Sequence, residues 1–299
     1  MSTLAHRVLL ITQDMEGVQE KLNTLQKNDA KRHETLVGVC ARLSLVDQIR
    51  NIPFVQDTQM VKEYFLYQID RLSAYLTTTC IDVLTGEHYQ PYDQWLKDSY
   101  ESCTLGENWN STVTELSKVT TPAETASAFI KWTAKLHKHD YKETMSIRKA
   151  FKNFVCKTDT WMKEWLLQNY IVEDLDSNFE PKTKWQEMPD DKKCKSIAHY
   201  LYDLRNLYTH TVNSYQPLDQ VQRGNNKLPN KYQVKGFVAI FFPPTSSGDP
   251  YRRVSLPENR RESDVIRLLV IRWIRKHWLE ITADNENLIQ KYWEYRTKL

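Results

Sequence analysis

"VKEYFLYQIDRLSAYLTTTCIDVLTG", residues 61–86, decides the fold class. From Val61 the apolar side chains recur at Phe65, Ile69, Leu72 and Leu76 in steps of three and four, then return at Val83 after a longer step. That spacing places them on one side of an α-helix with a single buried face, and Gly86 stops it. The same signals continue outward. The first 50 residues read as two helices with a break near Asn28-Asp29; Ser2 and Thr3 can cap the first, and Pro53 ends the region. Downstream, Pro91 and Gly106 bracket a shorter piece around Trp95. Thr121-Pro122-Ala123-Glu124 is a capping-box start for a helix through His137. A further helix is expected from about Tyr141 to Tyr170, with Phe151, Phe154, Val155, Met162 and Leu166 inward.

A polar loop from Glu173 to Asp191 follows, and Asp190 or Asp191 opens the next helix, which runs into "LYDLRNLYTHTVNSY" at 201–215. Then the character changes. "RGNNKLPNKYQ" at 223–233 is a loop, and "VKGFVAIFFPP" at 234–244 is the one convincing strand-like run. Glu262–Ile281 and Asn285–Thr297 read as two closing helices. The expectation is an all-α protein with one small extended insert, in three stretches. These are an N-terminal helical extension (1–55), a central helical domain (56–220) and a basic C-terminal helical region (221–299).

Composition narrows the function classes. The 299 residues are 40% apolar and 26% charged, as in a soluble globular chain. Only 7 glycines argue against a Rossmann or P-loop enzyme, whose phosphate turns need them. No apolar run approaches membrane-spanning length. The five cysteines, at 40, 80, 103, 156 and 194, include no C-x-x-C pair and read as reduced thiols of a cytoplasmic protein. Cys156 is a conceivable nucleophile, but no particular His is implied, and a structural thiol is the default. The net charge of +3 is too small to identify a nucleic-acid binder, but its distribution is uneven. Between Arg252 and His277, eight basic residues face three acidic ones. That segment reads either as a solvated helix face or as a phosphate-facing surface, with Arg260 and Arg261 as RNA contacts.

The usual catalytic signatures are absent: no H-E-x-x-H, no G-x-S-x-G, no Walker sequence. His137 and His139, two apart on a helix, point about 200° apart and do not chelate one metal together. No metal site and no cofactor are expected. What stands out is Arg205-Asn206-Leu207-Tyr208-Thr209-His210, a charged and a titratable side chain beside aromatics.

This run resembles the R-x(4–6)-H motif of HEPN domains, all-α modules many of which are metal-independent ribonucleases. The commonest form in that family has a polar residue, often Asn, directly after the Arg, and this chain has "LRNLYTH". The loose pattern also occurs at Arg272–His277, but there Trp273 follows the Arg. The resemblance therefore selects 205–210. It implies a HEPN-like bundle over roughly 56–220, catalytic Arg205 and His210, a supporting Asn206, and a homodimer pairing its motifs across a two-fold axis. A growth-arresting toxin or antiviral-defence role is implied as well, with an inhibitory or regulatory protein partner as a further candidate.

The chemistry fits those residue types. RNA is cleaved without metal when its own 2′-hydroxyl attacks the adjacent phosphorus, leaving a 2′,3′-cyclic phosphate and a 5′-hydroxyl; DNA lacks the nucleophile. The proton transfers suit His near neutral pH, and the charge developing on the phosphoryl oxygens suits an always-ionised Arg. Asn206 can hold either His210 or a phosphate oxygen, and Tyr208 is a candidate RNA contact. On a continuous helix Arg205 and His210, five apart, face about 140° apart. Either the helix ends before His210, or two chains supply the groups. Three alternatives use other roles: a non-catalytic HEPN-like binding or scaffolding module, a general nucleic-acid-binding protein whose contacts lie in 252–277, or an ordinary helix with the Arg paired to an acid such as Asp203 and the His satisfied at a helix end.

Overall fold

The computed structural model describes residues 15–51, 59–85, 92–101, 114, 118, 121–140, 147–176, 178, 180–210, 237–242, 251–257, 260–281 and 292–293. The protein is all-α with a small extended insert. Its described helices are α1 (Met15–Asn28), α2 (Ala30–Arg50), α3 (Gln59–Leu84), α4 (Tyr92–Glu101), α5 (Pro122–Asp140), α6 (Ile147–Cys156), α7 (Thr160–Asn169), α8 (Asp190–His210) and α9 (Glu262–His277). Strands β1 (Ile171–Leu175), β2 (Phe237–Phe242) and β3 (Tyr251–Pro257) form one antiparallel sheet in the order β1-β3-β2.

Local chemistry sets the boundaries. The break between α1 and α2 falls at Asp29, whose Oδ1 accepts from the Arg32 backbone N–H at 2.9 Å and caps α2. The capping box at α5 is formed. Thr121 N–H donates to Glu124 Oε2 at 3.2 Å, and Glu124 N–H donates back to Thr121 Oγ1 at 3.3 Å. The single helix expected over 141–170 is two helices, because Asp159 caps a new one by accepting from the Met162 N–H at 2.9 Å. Ser2, Thr3, Pro53, Gly86, Pro91, Gly106 and the 223–233 loop lie outside the described residues. Of the last expected helix, Asn285–Thr297, only Tyr292 and Trp293 are described.

The chain forms two compact units, Met1–Leu84 with Phe151–Leu299, and Thr85–Ala150. The second unit holds α4 and α5, where the Trp95 and His137 rings meet edge to face at 5.2 Å. The first unit draws helices from all three stretches, 1–55, 56–220 and 221–299, since α3 packs against both α2 and α9. The expected strand-like run contains β2, but β1 and β3 lie where a loop and a basic helix face were expected. Their pairing sets Glu173 opposite Arg253 and Asp174 opposite Arg252, so charges that look solvated in sequence are cross-strand partners.

The core helix is α9, in which every residue from Glu262 to Arg275 is buried. This corrects the solvated-face reading of the basic segment. A helix buried all round must satisfy its charges internally. At its first turn, Glu262 is ion-paired with Arg71 of α3, both side chains being 1% exposed. Glu262 also accepts from the phenols of Tyr170 (2.7 Å) and Tyr200. Burial and the Glu262 charge push both phenols well above their ordinary pKa, which keeps them neutral donors. Ser263 donates to Asp70, and Asp264 takes both ends of the Arg50 guanidinium.

Breaking this network from one side leaves a buried charge without its counter-ion. Glu262→Ala should lower unfolding free energy by about 3–5 kcal/mol. Arg71→Met with Glu262→Met should recover part of that loss. Urea melts of the wild type, the single variants and the double variant check it; strictly additive losses would show that the pair is not coupled.

Candidate functional site

Helix α8 begins with Asp190 and Asp191 in its first turn, where carboxylates favour the positive end of the helix dipole. It continues without a break through His210. The first option for bringing Arg205 and His210 together, a helix ending before His210, is therefore not realised. The side chains of Tyr208 and His210 lie outside the described residues.

Arg205 and Asn206 are half-buried. Arg205 Nε donates to Asp82 Oδ2 on α3 at 2.9 Å, and its Nη1 donates to Asn206 Oδ1 at 3.0 Å. The motif arginine thus has an acidic partner, but that partner is Asp82 rather than Asp203. Asp203 instead accepts from Arg252 Nη1 at 2.7 Å, and Arg252 Nε reaches Asp174 at 3.0 Å. Tyr202 packs edge to face on Phe151 at 6.0 Å. Sequence reasoning does not single out Asp82, although a signal is there. Asp82 is the first charged residue after Arg71 in α3, at the end of a run that is otherwise apolar or hydroxylic.

The second match behaves differently. Arg272 is bound by Asp159, with Nε at 2.6 Å from Oδ2, and its guanidinium lies 5.1 Å from the Trp161 ring. His277 Nε2 lies 3.0 Å from the Lys157 carbonyl oxygen, and Lys276 donates to the carbonyls of Lys157 and Thr158. Arg272 and His277 both hold the connection between α6 and α7. Trp273 stacks on Phe154 at 4.4 Å, and Ile274 is fully buried.

The rest of the basic segment is largely engaged within the fold. Arg253 pairs with Glu173, Arg267 with Asp47, and Arg260 lies 4.6 Å from the Trp293 ring. Arg261 is exposed. Among the described residues no group of three or more His, Cys, Asp or Glu side chains is placed to hold a metal ion, and no helix is long and apolar enough to cross a membrane. Comparison of the chain with protein-family models, curated proteins and solved structures returned no match.

The two arginines should differ in their contribution to stability. Arg272→Ala is expected to cost about 2–4 kcal/mol, because the pair is largely buried; Arg205→Ala, in a more exposed pair, about 1 kcal/mol or less. Burial works to raise the Asp159 pKa, but the Arg272 hydrogen bonds and the Met162 N–H outweigh it and hold the carboxyl below its ordinary range. Asp159 therefore stabilises the fold above the unfolded carboxyl pKa of about 4, and this contribution fades as pH falls through the folded value. Arg272→Ala should flatten that acid limb, and denaturant melts across roughly pH 2–6 check both expectations.

Proposed function

We propose that this protein is a metal-independent endoribonuclease of HEPN type, acting as a cytoplasmic homodimer, with Arg205 and His210 catalytic and Asn206 supporting. The observation that carries this reading is the pairing of Arg205 with Asn206 on the unbroken helix that also contains His210. The resemblance implies that two chains related by a two-fold axis supply the groups, gathering two Arg and two His in one cleft. His210 moves the proton of the 2′-hydroxyl or of the 5′-oxygen. The P–O2′ bond forms, the P–O5′ bond breaks, and Arg205 stabilises the charge on the phosphoryl oxygens. Asp82 orients the guanidinium from the α3 side. By resemblance, such an enzyme suits a toxin or antiviral-defence role under the control of a protein partner.

The Asp82 pair also favours a second reading. An arginine already held by a neighbouring helix suits a non-catalytic HEPN-like module that binds nucleic acid or scaffolds a complex.

The deciding experiment incubates purified protein with a mixed RNA pool in EDTA. Cleavage with 2′,3′-cyclic phosphate ends is expected, with DNA left intact. Arg205→Ala or His210→Ala should reduce the rate on the order of 10²-fold or more. A requirement for Mg²⁺, or full activity in both variants, overturns the nuclease reading. Binding without cleavage supports the scaffold.

A further inference from the structure

Three carboxyl groups meet where α9 begins, and only two of them are held by a guanidinium. Glu262 is ion-paired with Arg71 of α3, and Asp264 with Arg50 of α2, whose Nη2 lies 3.0 Å from Asp264 Oδ2. Asp70, beside Arg71 on α3, is met by a neutral group instead: the Ser263 hydroxyl donates to its Oδ1 at 2.5 Å. Ser263 stands between Glu262 and Asp264 in the first turn of α9, so this bond brings the Asp70 carboxyl in beside both of the others.

The remaining groups around the cluster do not supply the missing charge. Tyr170, after α7, and Tyr200, on α8, donate to Glu262 as neutral phenols. Tyr292 donates to the backbone carbonyl of Asp264 at 3.0 Å. Arg267, three residues beyond Asp264, is paired with Asp47 of α2. Arg260 attracts Asp264, but it is partly exposed and lies over the Trp293 ring, at 4.6 Å. Among the described residues the cluster is thus three carboxyl groups against the two guanidinium groups of Arg50 and Arg71, one positive charge short.

A proton balances it, and Asp70 is its place. The positive end of α9 favours carboxylates, but Glu262 and Asp264 already occupy that end, each held by an arginine. Removal from water raises the Asp70 pKa above its ordinary value; Glu262 and Asp264 add to this, while the Ser263 bond and Arg71 oppose it. Asp70 is half-buried, so its carboxyl exchanges protons with solvent in the folded protein.

We propose that Asp70 is a proton sensor built into the contact between α3 and α9. With a proton on Asp70, the cluster is electrically balanced and the first turn of α9 seats on α3. When the proton leaves, three carboxylates face two guanidinium groups, and that turn loosens. This inference does not rest on the nuclease reading.

The test compares the full-length wild type with Asp70→Asn, which keeps an oxygen for Ser263 and removes the charge. The folded-state pKa of Asp70 lies above the unfolded value of about 4, so its contribution is complete below that value and is lost as pH rises through the folded one. In denaturant melts over roughly pH 4–9, the wild type should lose stability relative to the variant as pH rises. Its unfolding constant should grow by up to about tenfold per pH unit within that window, relative to the variant's. Hydrogen-exchange protection of the Asp264 and Val265 amides, which bond the Arg261 carbonyl oxygen at 3.1 and 3.2 Å, should fall over the same range in the wild type and hold in the variant. A stability difference independent of pH, or one that turns against the variant as pH rises, overturns the proposal, as does protection that holds in the wild type. If the variant fails to fold, an NMR titration of the Asp70 carboxyl carbon in the wild type decides the matter: titration above about 4 supports the sensor, and titration at or below it overturns the idea.

Discussion

The structure depends on burying the first turn of α9 with its charges neutralised. Three consecutive residues, Glu262, Ser263 and Asp264, reach three different partners: Arg71, Asp70 and Arg50. Carboxylates at a helix N-terminus are favoured by the dipole, but taking them out of water costs several kcal/mol each unless they are paired. The guanidinium groups of α2 and α3 offset that cost only in one rotation and register of α9. Apolar packing alone tolerates sliding between helices; this network does not. Tyr170 and Tyr200 extend the constraint to the end of α7 and to α8, so the helix carrying Arg205 is indexed against the same carboxylate.

The basic segment is the other side of this arrangement. Its surplus of positive charge is matched by carboxylates remote in sequence, among them Asp47, Asp159, Glu173, Asp174 and Asp203. A local excess of arginine is therefore not a surface potential. Paired guanidinium groups exert little field at a distance, and an RNA strand meets Arg261 far more readily than Arg267 or Arg272. Under the nuclease reading, recognition of RNA then leans on short-range contacts near α8 rather than on a long basic track.

What was legible in the sequence was local. The Asp29 cap and the Thr121–Glu124 box involve residues within a few positions of one another, and the structure forms them; the helix expected from Val61 is there too, but its buried side chains include Ala74, Thr77, Thr78, Cys80, Ile81 and Leu84, while Ile69, Leu72, Leu76 and Val83 are half-buried. The misread parts are those fixed by distant partners. Strand β3 reads as polar because Arg252 and Arg253 find their carboxylates on β1, 78 and 80 residues earlier. Helix α9 reads as a solvated face because the partners that permit its burial lie on α2, α3 and before α7. At the site, Arg205 and Asn206 were legible as a pair by adjacency, whereas Asp82 belongs to another helix and no spacing rule connects it to the motif.

The two R-x(4)-H runs now separate on physical grounds. Arg272 and His277 are five apart on one helix, yet both reach the short 157–159 connection, because a long guanidinium arm offsets the angle between them. Five-residue spacing is therefore compatible with gripping one object, and at 272–277 that object is the protein's own backbone and its Asp159 cap. At 205–210 the arginine is drawn to Asp82 instead. A carboxylate 2.9 Å from Nε cancels most of the charge that a distant phosphate would feel, so Arg205 acts on a phosphate only at hydrogen-bonding range. Asp82 is thus the residue on which the two readings divide: in a nuclease it holds the guanidinium ready for the phosphoryl oxygens, and in a scaffold it is the arginine's final partner.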